Sequence, residues 1–369
     1  MPVQRKQKPI GVFYAGSNTY SRLIAIAAAY RVRHLGYRPV ILFGIGSKPD
    51  PNLAGYVGLF SRDTADMFLA AGTPAVNVSQ HGTAMLRLPS VLADNRAAGR
   101  LAAEHLIERG YNTIVYINRE PLFYSELRGD GVRDAVALKN GRYVELSQAN
   151  MATELKTLPL PLGIVGADDT MASRALETVL SLGRHVPDQV AVVGITNDEI
   201  DCITAPVVLS SVDLNASIIG DRAARLLLRL VAGRPVPSQP VIVAPGGVVT
   251  RASSDMLATA DPVVAKIVRY ARDHLSDGLR VHELARHFGM SRQNLHLLFR
   301  EKARYAPVEM LQHLAVARAK QLLVGSDLSI NLIAAQCGYD NLAHFGVMFR
   351  QLTGTTPAAY RNQWPAAGY

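Results

Sequence analysis

The feature that most constrains the fold of this 369-residue chain is a change of pattern near residue 250. Before it, short apolar runs alternate with amphipathic stretches, which is typical of parallel strands joined by helices. From Pro262 onward the strand pattern stops, and only short helical stretches separated by turn residues remain. The sequence therefore predicts an α/β domain over residues 1–251, a polar linker over 252–260 and an all-helical domain over 261–369.

The α/β part contains several β-branched runs bounded by turn residues, and one connection between them is short. Only ten residues, Gly46–Gly55, separate the second strand from the third, whereas a parallel crossover usually needs a dozen or more, normally with a helix. We therefore expect one covering helix to be missing, which would leave apolar surface and favour a homodimer. The predicted strands are Ile10–Ala15, Pro39–Ile45, Tyr56–Phe60, Ala75–Val78, Thr113–Ile117, Gly163–Gly166 and Val190–Gly194, and helices are predicted over Tyr20–Leu35, Asn95–Glu108 and Met171–Leu182.

The composition and the absence of several motifs argue against whole classes of protein. No apolar run approaches the roughly 18 residues that span a bilayer, so a cytoplasmic protein without a membrane partner is expected. Two cysteines are too few for a disulfide framework. We find neither a P-loop nor a Gly-x-Ser-x-Gly elbow, and His282 and His287 stand five residues apart instead of the four of a helical zinc motif. Neither an enzyme nor a cofactor or metal site is therefore expected.

The helical domain contains two segments with the same plan of helix, glycine turn and capped helix. In the first, residues 281–301, Gly289 opens the turn and Ser291 caps the second helix. Taken alone, such a segment is equally compatible with an ordinary helical hairpin with a solvated face. Residues spaced three to four apart on its outer face are suited to a major groove. The residues predicted to contact DNA in this segment are Ser291, Arg292, Gln293, His296 and Arg300.

The second copy of the plan, residues 329–354, favours a DNA-binding function for both. The apolar stretch Pro307–Leu323 lies between the copies and is expected to hold them rigidly, with successive major grooves roughly 34 Å apart. The charge agrees, because residues 261–369 hold 13 Lys and Arg against 8 Asp and Glu. The residues predicted to contact DNA in this segment are Asn341, Ala343, His344, Val347 and Arg350.

The stretch RAKQLLVGSDLSINLIAAQCGY, followed by FGVMFRQLTGTTPAAYR within residues 318–361, resembles the signature of the arabinose-regulator (AraC-type) family of transcription activators. The resemblance implies a double-stranded DNA operator, base contacts from the first recognition helix and a contact with RNA polymerase. The chain departs from the family at Leu297, Gly346 and Val347, where polar or basic residues are usual. Base-specific readout by the second unit is therefore expected to be weak.

Two stretches of the α/β part, DNRAAGRLAAEHLIERGYNTIVYI (residues 94–117) and GIVGADDTMASRALETVLSLGRHVPDQVAVVGITNDE (residues 163–199), resemble the effector domains of lac-repressor-type regulators and periplasmic sugar-binding proteins. The resemblance implies a two-lobed α/β sensor for a small polyhydroxylated ligand. Together with the tail it implies a transcription regulator, expected to activate genes for the use of a xylose-like sugar. A sensor that serves dimerisation or binds a non-sugar effector is the alternative.

Candidate ligand residues follow the predicted strands, because ligands of open parallel sheets bind beyond the carboxyl ends of the strands. The resemblance adds Arg128, which matches the family's ligand-contacting arginine. It also places Asp168 where an Asn usually contacts sugar, and Thr196 where an Asp usually binds sugar hydroxyls. The complete set of candidates is Asn18, Tyr20, Arg128, Asp168, Asp169, Thr196 and Asn197.

Each candidate also has an ordinary structural alternative. Asp169 or Asn197 could cap the helix that follows, and Asn18 could hold a turn. Tyr20 could belong to the core, and Arg128 to a surface ion pair. Asp94, in the same region, is expected to cap a helix rather than contact a ligand.

Overall fold

The computed structural model describes residues 8–14, 19–44, 48–80, 86–119, 121–255, 261–303, 305–326 and 328–363. The described residues up to Asp255 form an α/β unit and those from Asp261 form a helical unit, which confirms the predicted fold class. The strands of the first unit are β1 Ile10–Tyr14, β2 Pro39–Phe43, β3 Gly55–Gly58, β4 Ala75–Asn77, β5 Val91–Ala93, β6 Thr113–Ile117, β7 Arg142–Leu146, β8 Leu162–Gly166, β9 Val190–Thr196, β10 Ser210–Asp213, β11 Val241–Val243 and β12 Gly247–Val249. Its helices are α1 Thr19–His34, α2 Arg62–Ala70, α3 Asn95–Glu108, α4 Phe123–Leu138, α5 Met151–Thr157, α6 Asp169–Ser181, α7 Glu199–Thr204 and α8 Ala216–Val231.

Two sheets divide the α/β unit into lobes. The N-terminal lobe has four parallel strands in the order β2-β1-β3-β4, and the C-terminal lobe has six in the order β12-β10-β9-β8-β6-β7, of which only β12 is antiparallel. The short pair β11-β5 lies beside β4, where Asn77 bridges Ser90. Helix α8 returns from the C-terminal lobe and packs on α1, so the chain crosses between the lobes several times.

The crossover from β2 to β3 lacks a helix in its described part, residues 48–54, as the sequence predicts. The face of the sheet that such a helix would cover is filled instead by packed aromatic rings. Phe13 stacks on Tyr56, with ring centroids 5.5 Å apart, and both rings meet Phe68 of α2 edge-on. The edge strand β2 remains partly open, and Phe43 at its end is 80% exposed.

The predicted linker begins with residues that pack in the sensor. Ser253 and Ser254 are fully buried, and the Ser253 carbonyl accepts a hydrogen bond from the Val192 amide in β9. The described part of the stretch 252–260 is therefore an extension of the α/β unit up to Asp255.

The helical unit has one hydrophobic core that serves both helix-turn-helix segments. Buried side chains from both recognition helices, including Phe299 and Phe345, share this core with Leu314 and Ala319 of the long central helix. Among the described residues no helix is both long and apolar enough to cross a membrane. The helices are α9 Pro262–Asp273, α10 Val281–His287, α11 Arg292–Lys302, α12 Pro307–Gly325, α13 Ile330–Gln336, α14 Leu342–Thr353 and α15 Pro357–Gln363, with a 3₁₀ turn at Leu275–Asp277.

Candidate functional site

A cleft of about 200 Å³ lies between the two lobes, at the carboxyl ends of their strands. Five of the predicted ligand residues line it: Tyr20, Arg128, Asp168, Asp169 and Thr196. Asn197 does not line the cleft, and Asn18 lies outside the described residues. The rule that ligands bind beyond the strand ends therefore located the cleft.

Arg128 occupies the floor of the cleft and is only 3% exposed, so it is not part of a surface ion pair. Its Nε donates to Asn95 Oδ1 at 2.8 Å, and its Nη1 donates to the Ala167 carbonyl at 2.6 Å. Its guanidinium lies over the ring of Tyr124, 4.6 Å from the centroid. These contacts hold the planar group in one orientation, as recognition of a ligand's hydroxyls requires.

Two glycines fix where Arg128 stands relative to α3. A Cβ on Gly99 of α3 would lie 1.9 Å from the Arg128 carbonyl oxygen, and one on Gly131 of α4 would lie 1.9 Å from the Arg96 carbonyl oxygen. Only glycine permits so close an approach of two helix backbones. The side chains at the start of α3 and in the first turns of α4 are thereby brought to one point of the cleft.

Asp168 combines a structural role with a position in the cleft wall. Its Oδ1 accepts the Met171 amide and caps α6, so the cap is Asp168 and not Asp169. Its Oδ2 accepts from Arg119 Nη1 at 2.6 Å and from the Tyr124 hydroxyl at 3.0 Å. Burial, and next the charge of Asp168, raise the pKa of Tyr124, which keeps its hydroxyl a proton donor.

Asp169 is fully buried behind the cleft surface. Its carboxylate accepts hydrogen bonds from the hydroxyls of Ser211 and Thr196 and from the Asp198 amide. Burial raises the pKa of Asp169 to about 6; the three hydrogen bonds oppose that shift, and the charge of Asp168 adds to it. Asp169 therefore gathers the ends of β9 and β10 around one carboxylate.

Thr196 lines the cleft, but its hydroxyl is engaged inside the protein. The Thr196 hydroxyl donates to Asp169 Oδ2 at 2.7 Å, and its backbone has a φ of 139°, which is rare for a β-branched residue. Asn197 follows in the left-handed region. Its amide donates to Ser211 Oγ, and its Oδ1 accepts from Arg251 Nη2 at 2.7 Å. Thr196 and Asn197 thus hold the strand end in place.

Hydrogen bonds also join the lobes across the cleft. The Thr19 amide and hydroxyl at the start of α1 donate to the two carboxylate oxygens of Asp198 in the C-terminal lobe. Asn95 Nδ2 donates to Gln80 Oε1 of the N-terminal lobe. Asn95 therefore bonds to Gln80 with its amide nitrogen and to Arg128 with its oxygen.

Sequence reasoning missed several cleft residues. Arg119 and Asp198 stand two residues after β6 and β9, so the same strand-end rule could have found them. Gln80 stands three residues after β4 and carried the same signal, whereas Tyr124 did not, because it lies in α4 beyond the loop that follows β6. Asp94 caps α3 by accepting the Ala97 amide, as expected.

The first recognition helix is α11, and Ser291 caps it by accepting the Asn294 amide at 3.0 Å. Gly289, in the turn before it, has a φ of 64°. Leu295 and Phe299 point into the core, whereas Arg292, Gln293 and Arg300 are exposed and His296 is half-buried. The predicted DNA-contacting side chains of this unit are therefore presented on one outer face.

The second recognition helix is α14, which Asn341 caps by accepting the His344 amide at 3.0 Å. Ala343, His344, Val347 and Arg350 are exposed on it. Val347 is 56% exposed, which places an apolar side chain where a polar one would be needed to read base edges by hydrogen bonds.

The raised pKa of Asp169 predicts how its contribution to stability depends on pH. The folded chain binds a proton up to pH about 6, whereas the unfolded carboxyl releases it near its ordinary value of 3.8. The contribution of Asp169 to the free energy of unfolding should therefore fall as pH rises from 4 to above 6, by about 3 kcal/mol. Asp169→Asn should flatten the melting temperature across this range, whereas Asp66→Asn, at an exposed site, should not. An unchanged slope in Asp169→Asn would contradict the assignment.

Comparison with known proteins identifies both units. Residues 103–254 match the family described as periplasmic binding protein-like domain, and residues 284–363 match the helix-turn-helix domain family. The xylose operon regulatory protein of Escherichia coli strain K12 is 31% identical over 290 residues, covering 74% of this chain and 73% of the relative. Its counterpart in Haemophilus influenzae is 28% identical, with 74% of each chain covered.

A solved structure of a xylose-binding transcription activator extends the similarity to almost the whole chain. It superposes with a TM-score of 0.71 at 27% identity and covers 97% of this chain and 99% of the other. The order of the two units is the same as in these relatives. The chain therefore belongs to the family of xylose operon regulatory proteins, which are DNA-binding transcription regulators of AraC type and not enzymes.

Proposed function

We propose that a monosaccharide of pentose size binds in the cleft and controls how this regulator binds its operator in the cytoplasm. The observation that carries the proposal is the buried Arg128 guanidinium, held beside Asp168 and Asp169 at the junction of two lobes. The cleft volume of about 200 Å³ is below the roughly 300–1,000 Å³ of pockets for drug-sized ligands, which favours a small sugar. The similar proteins named as xylose regulators support D-xylose as the first ligand to test.

Arg128→Ala should weaken D-xylose binding by about 1.5 to 3 kcal/mol, the scale of a hydrogen bond to a charged group. Titration calorimetry against D-xylose, D-ribose, L-arabinose and D-glucose measures it. Arg133→Ala is the matched control, because Arg133 lies on the same helix but its ion pairs with Asp130 and Glu145 are on the surface. If wild type binds none of these sugars, the alternative of a dimerisation unit or a non-sugar sensor is favoured. Equal affinities of Arg128→Ala and wild type would rule out a role for Arg128.

We also propose a homodimer formed through α1 and β2. Apolar side chains are exposed on one face of α1, at Leu23, Ile26 and Tyr30, and on the edge strand, at Ile41 and Phe43. The helix that would normally follow β2 is missing from the described part of this crossover. Burying this surface against a second copy would remove its contact with water, which favours association.

Phe43→Glu should convert the dimer to a monomer at micromolar concentration, because the buried ring is replaced by a charge. Sedimentation velocity of both proteins measures the change. Leu138→Glu is the control, since Leu138 is 74% exposed at the end of α4 in the other lobe. A monomeric wild type would refute the homodimer, and a dimeric Phe43→Glu would refute this interface.

We propose that the two helix-turn-helix units divide the work of DNA recognition, and that the bound regulator activates transcription by contacting RNA polymerase. Gln293 on α11 is exposed and has the amide that can pair with an adenine edge, with Arg292 beside it. On α14, Ala343 and Val347 offer only apolar contact to thymine methyl groups, and Arg350 suits a phosphate. The contact with RNA polymerase rests on resemblance to the activator family.

Gln293→Ala should relax base preference in one part of the operator at a cost of roughly 1 to 3 kcal/mol. Arg350→Ala should instead lower affinity for all DNA sequences. It should also reduce the slope of log affinity against log salt concentration by about one. Selection of binding sites at two salt concentrations distinguishes the two effects, with Arg142→Ala on the sensor surface as the charge-matched control. A new consensus for Arg350→Ala, together with an unchanged one for Gln293→Ala, would reverse the assignment.

A further inference from the structure

The helical unit is attached to the base of the C-terminal lobe by two ion pairs, each of which has a buried carboxylate. Arg272 Nη2 of α9 donates to Asp188 Oδ1 at 2.5 Å. Asp188 is fully buried and stands two residues before β9 in the chain. Lys320 Nζ of α12 lies 3.7 Å from Asp255 Oδ2, and both side chains are largely buried. Removing one member of such a pair leaves a buried charge without its partner. These pairs therefore fix the position of the helical unit on the sensor.

The interface beside these pairs is only partly filled. A groove of about 630 Å³, partly open to solvent, is lined from the sensor by Pro187 and Asp255 and from the helical unit by Arg272, Leu314 and Arg318. Asp188 Oδ2 and Asp255 Oδ2 are buried there without a hydrogen-bond partner among the described residues. An interface with this much free volume has room for a second arrangement of the same surfaces.

Helix α3 reaches from the cleft to this interface. Its first residue, Asn95, bonds to Arg128 in the cleft, and His105 in its last turn bonds through Nε2 to Ser254 Oγ at 2.8 Å. Ser254 directly precedes Asp255, the partner of Lys320. At a rise of 1.5 Å per residue, the ten residues from Asn95 to His105 advance about 15 Å along the helix axis.

A second route of hydrogen bonds runs parallel to the helix through buried serines. Ser211 donates to Asp169 behind the cleft, and its neighbour Ser210 accepts from the Ser254 hydroxyl at 2.8 Å. Ser210, Ser211 and Ser254 are fully buried. Ser254 therefore receives contacts from both routes before the chain reaches Asp255.

We propose that α3 carries the state of the cleft to the DNA-binding unit. A ligand that accepts hydrogen bonds from Arg128 in place of Asn95 shifts the start of α3. The shift then displaces Ser254 through its hydrogen bond with His105, and Asp255, next in the chain, displaces Lys320 of α12. Since α12 forms the core between the two recognition helices, its displacement moves both of them together. This inference rests on the proposed binding of a ligand in the cleft.

The first test uses D-xylose as the probe and compares operator affinity with and without it in the full chain. A coupling between sites is typically 5- to 150-fold in affinity. Lys320→Met and Ser254→Ala should each reduce the ratio of operator affinities with and without D-xylose at least threefold relative to wild type. Direct calorimetry should still find D-xylose bound to both variants. Lys266→Met is the control, because Lys266 is exposed on α9 of the same unit. If both Lys320→Met and Ser254→Ala keep the wild-type ratio of operator affinities with and without D-xylose, the inference is overturned.

A second test needs no ligand and separates this inference from the proposed function. Asn95→Ala, at the cleft end, should raise amide hydrogen exchange in α12 severalfold relative to wild type. Asn150→Ala is the matched control, because Asn150, like Asn95, stands at the start of a helix but only holds the turn at Ser147. Unchanged exchange of α12 in Asn95→Ala would overturn the coupling, even if D-xylose binds. Increased exchange would support the coupling, even if the effector is not D-xylose.

Discussion

The close crossing of α3 and α4 is the constraint on which the sensor depends. Gly99 and Gly131 let the two backbones come into contact, because a Cβ at either position would clash with a carbonyl oxygen of the other helix. The crossing sets Asn95 beside Arg128 and leaves the far end of α3 at the base of the lobe. Two residues without side chains thus determine both the geometry of the cleft and the geometry beneath the DNA-binding unit.

The cleft shows how hydrogen bonds keep charged groups inside a protein. Asp169 is satisfied by three donors, Asp168 by Arg119 and Tyr124, and Asp198 by Thr19. Such satisfied groups hold the surrounding loops in place, whereas an unpaired buried carboxylate would be costly. Where the family that this sensor resembles usually has an Asp at the last strand end, this chain has Thr196. The Thr196 hydroxyl donates to Asp169 and so belongs to this internal network.

Much of the architecture followed from periodicity and turn residues, because each strand or helix buries one face of its own sequence. The strand-end rule located four cleft residues, Tyr20, Asp168, Asp169 and Thr196, for the same local reason, and Arg128 came from the family resemblance. It could not tell that the Thr196 hydroxyl turns towards Asp169, since that orientation depends on how deeply Asp169 is buried. Pairs such as Asp188 with Arg272, 84 residues apart, depend on how two units pack, and no local pattern encodes that packing.

The single core of the helical unit has a consequence for the DNA that it reads. Both recognition helices pack on α12, so the distance between their contact points is a property of the protein. Each base pair inserted between the two contacted segments would displace the second by about 3.4 Å and rotate it by about 36° around the DNA axis. Operators of this regulator should consequently conserve the length of that spacer strictly, while its sequence drifts.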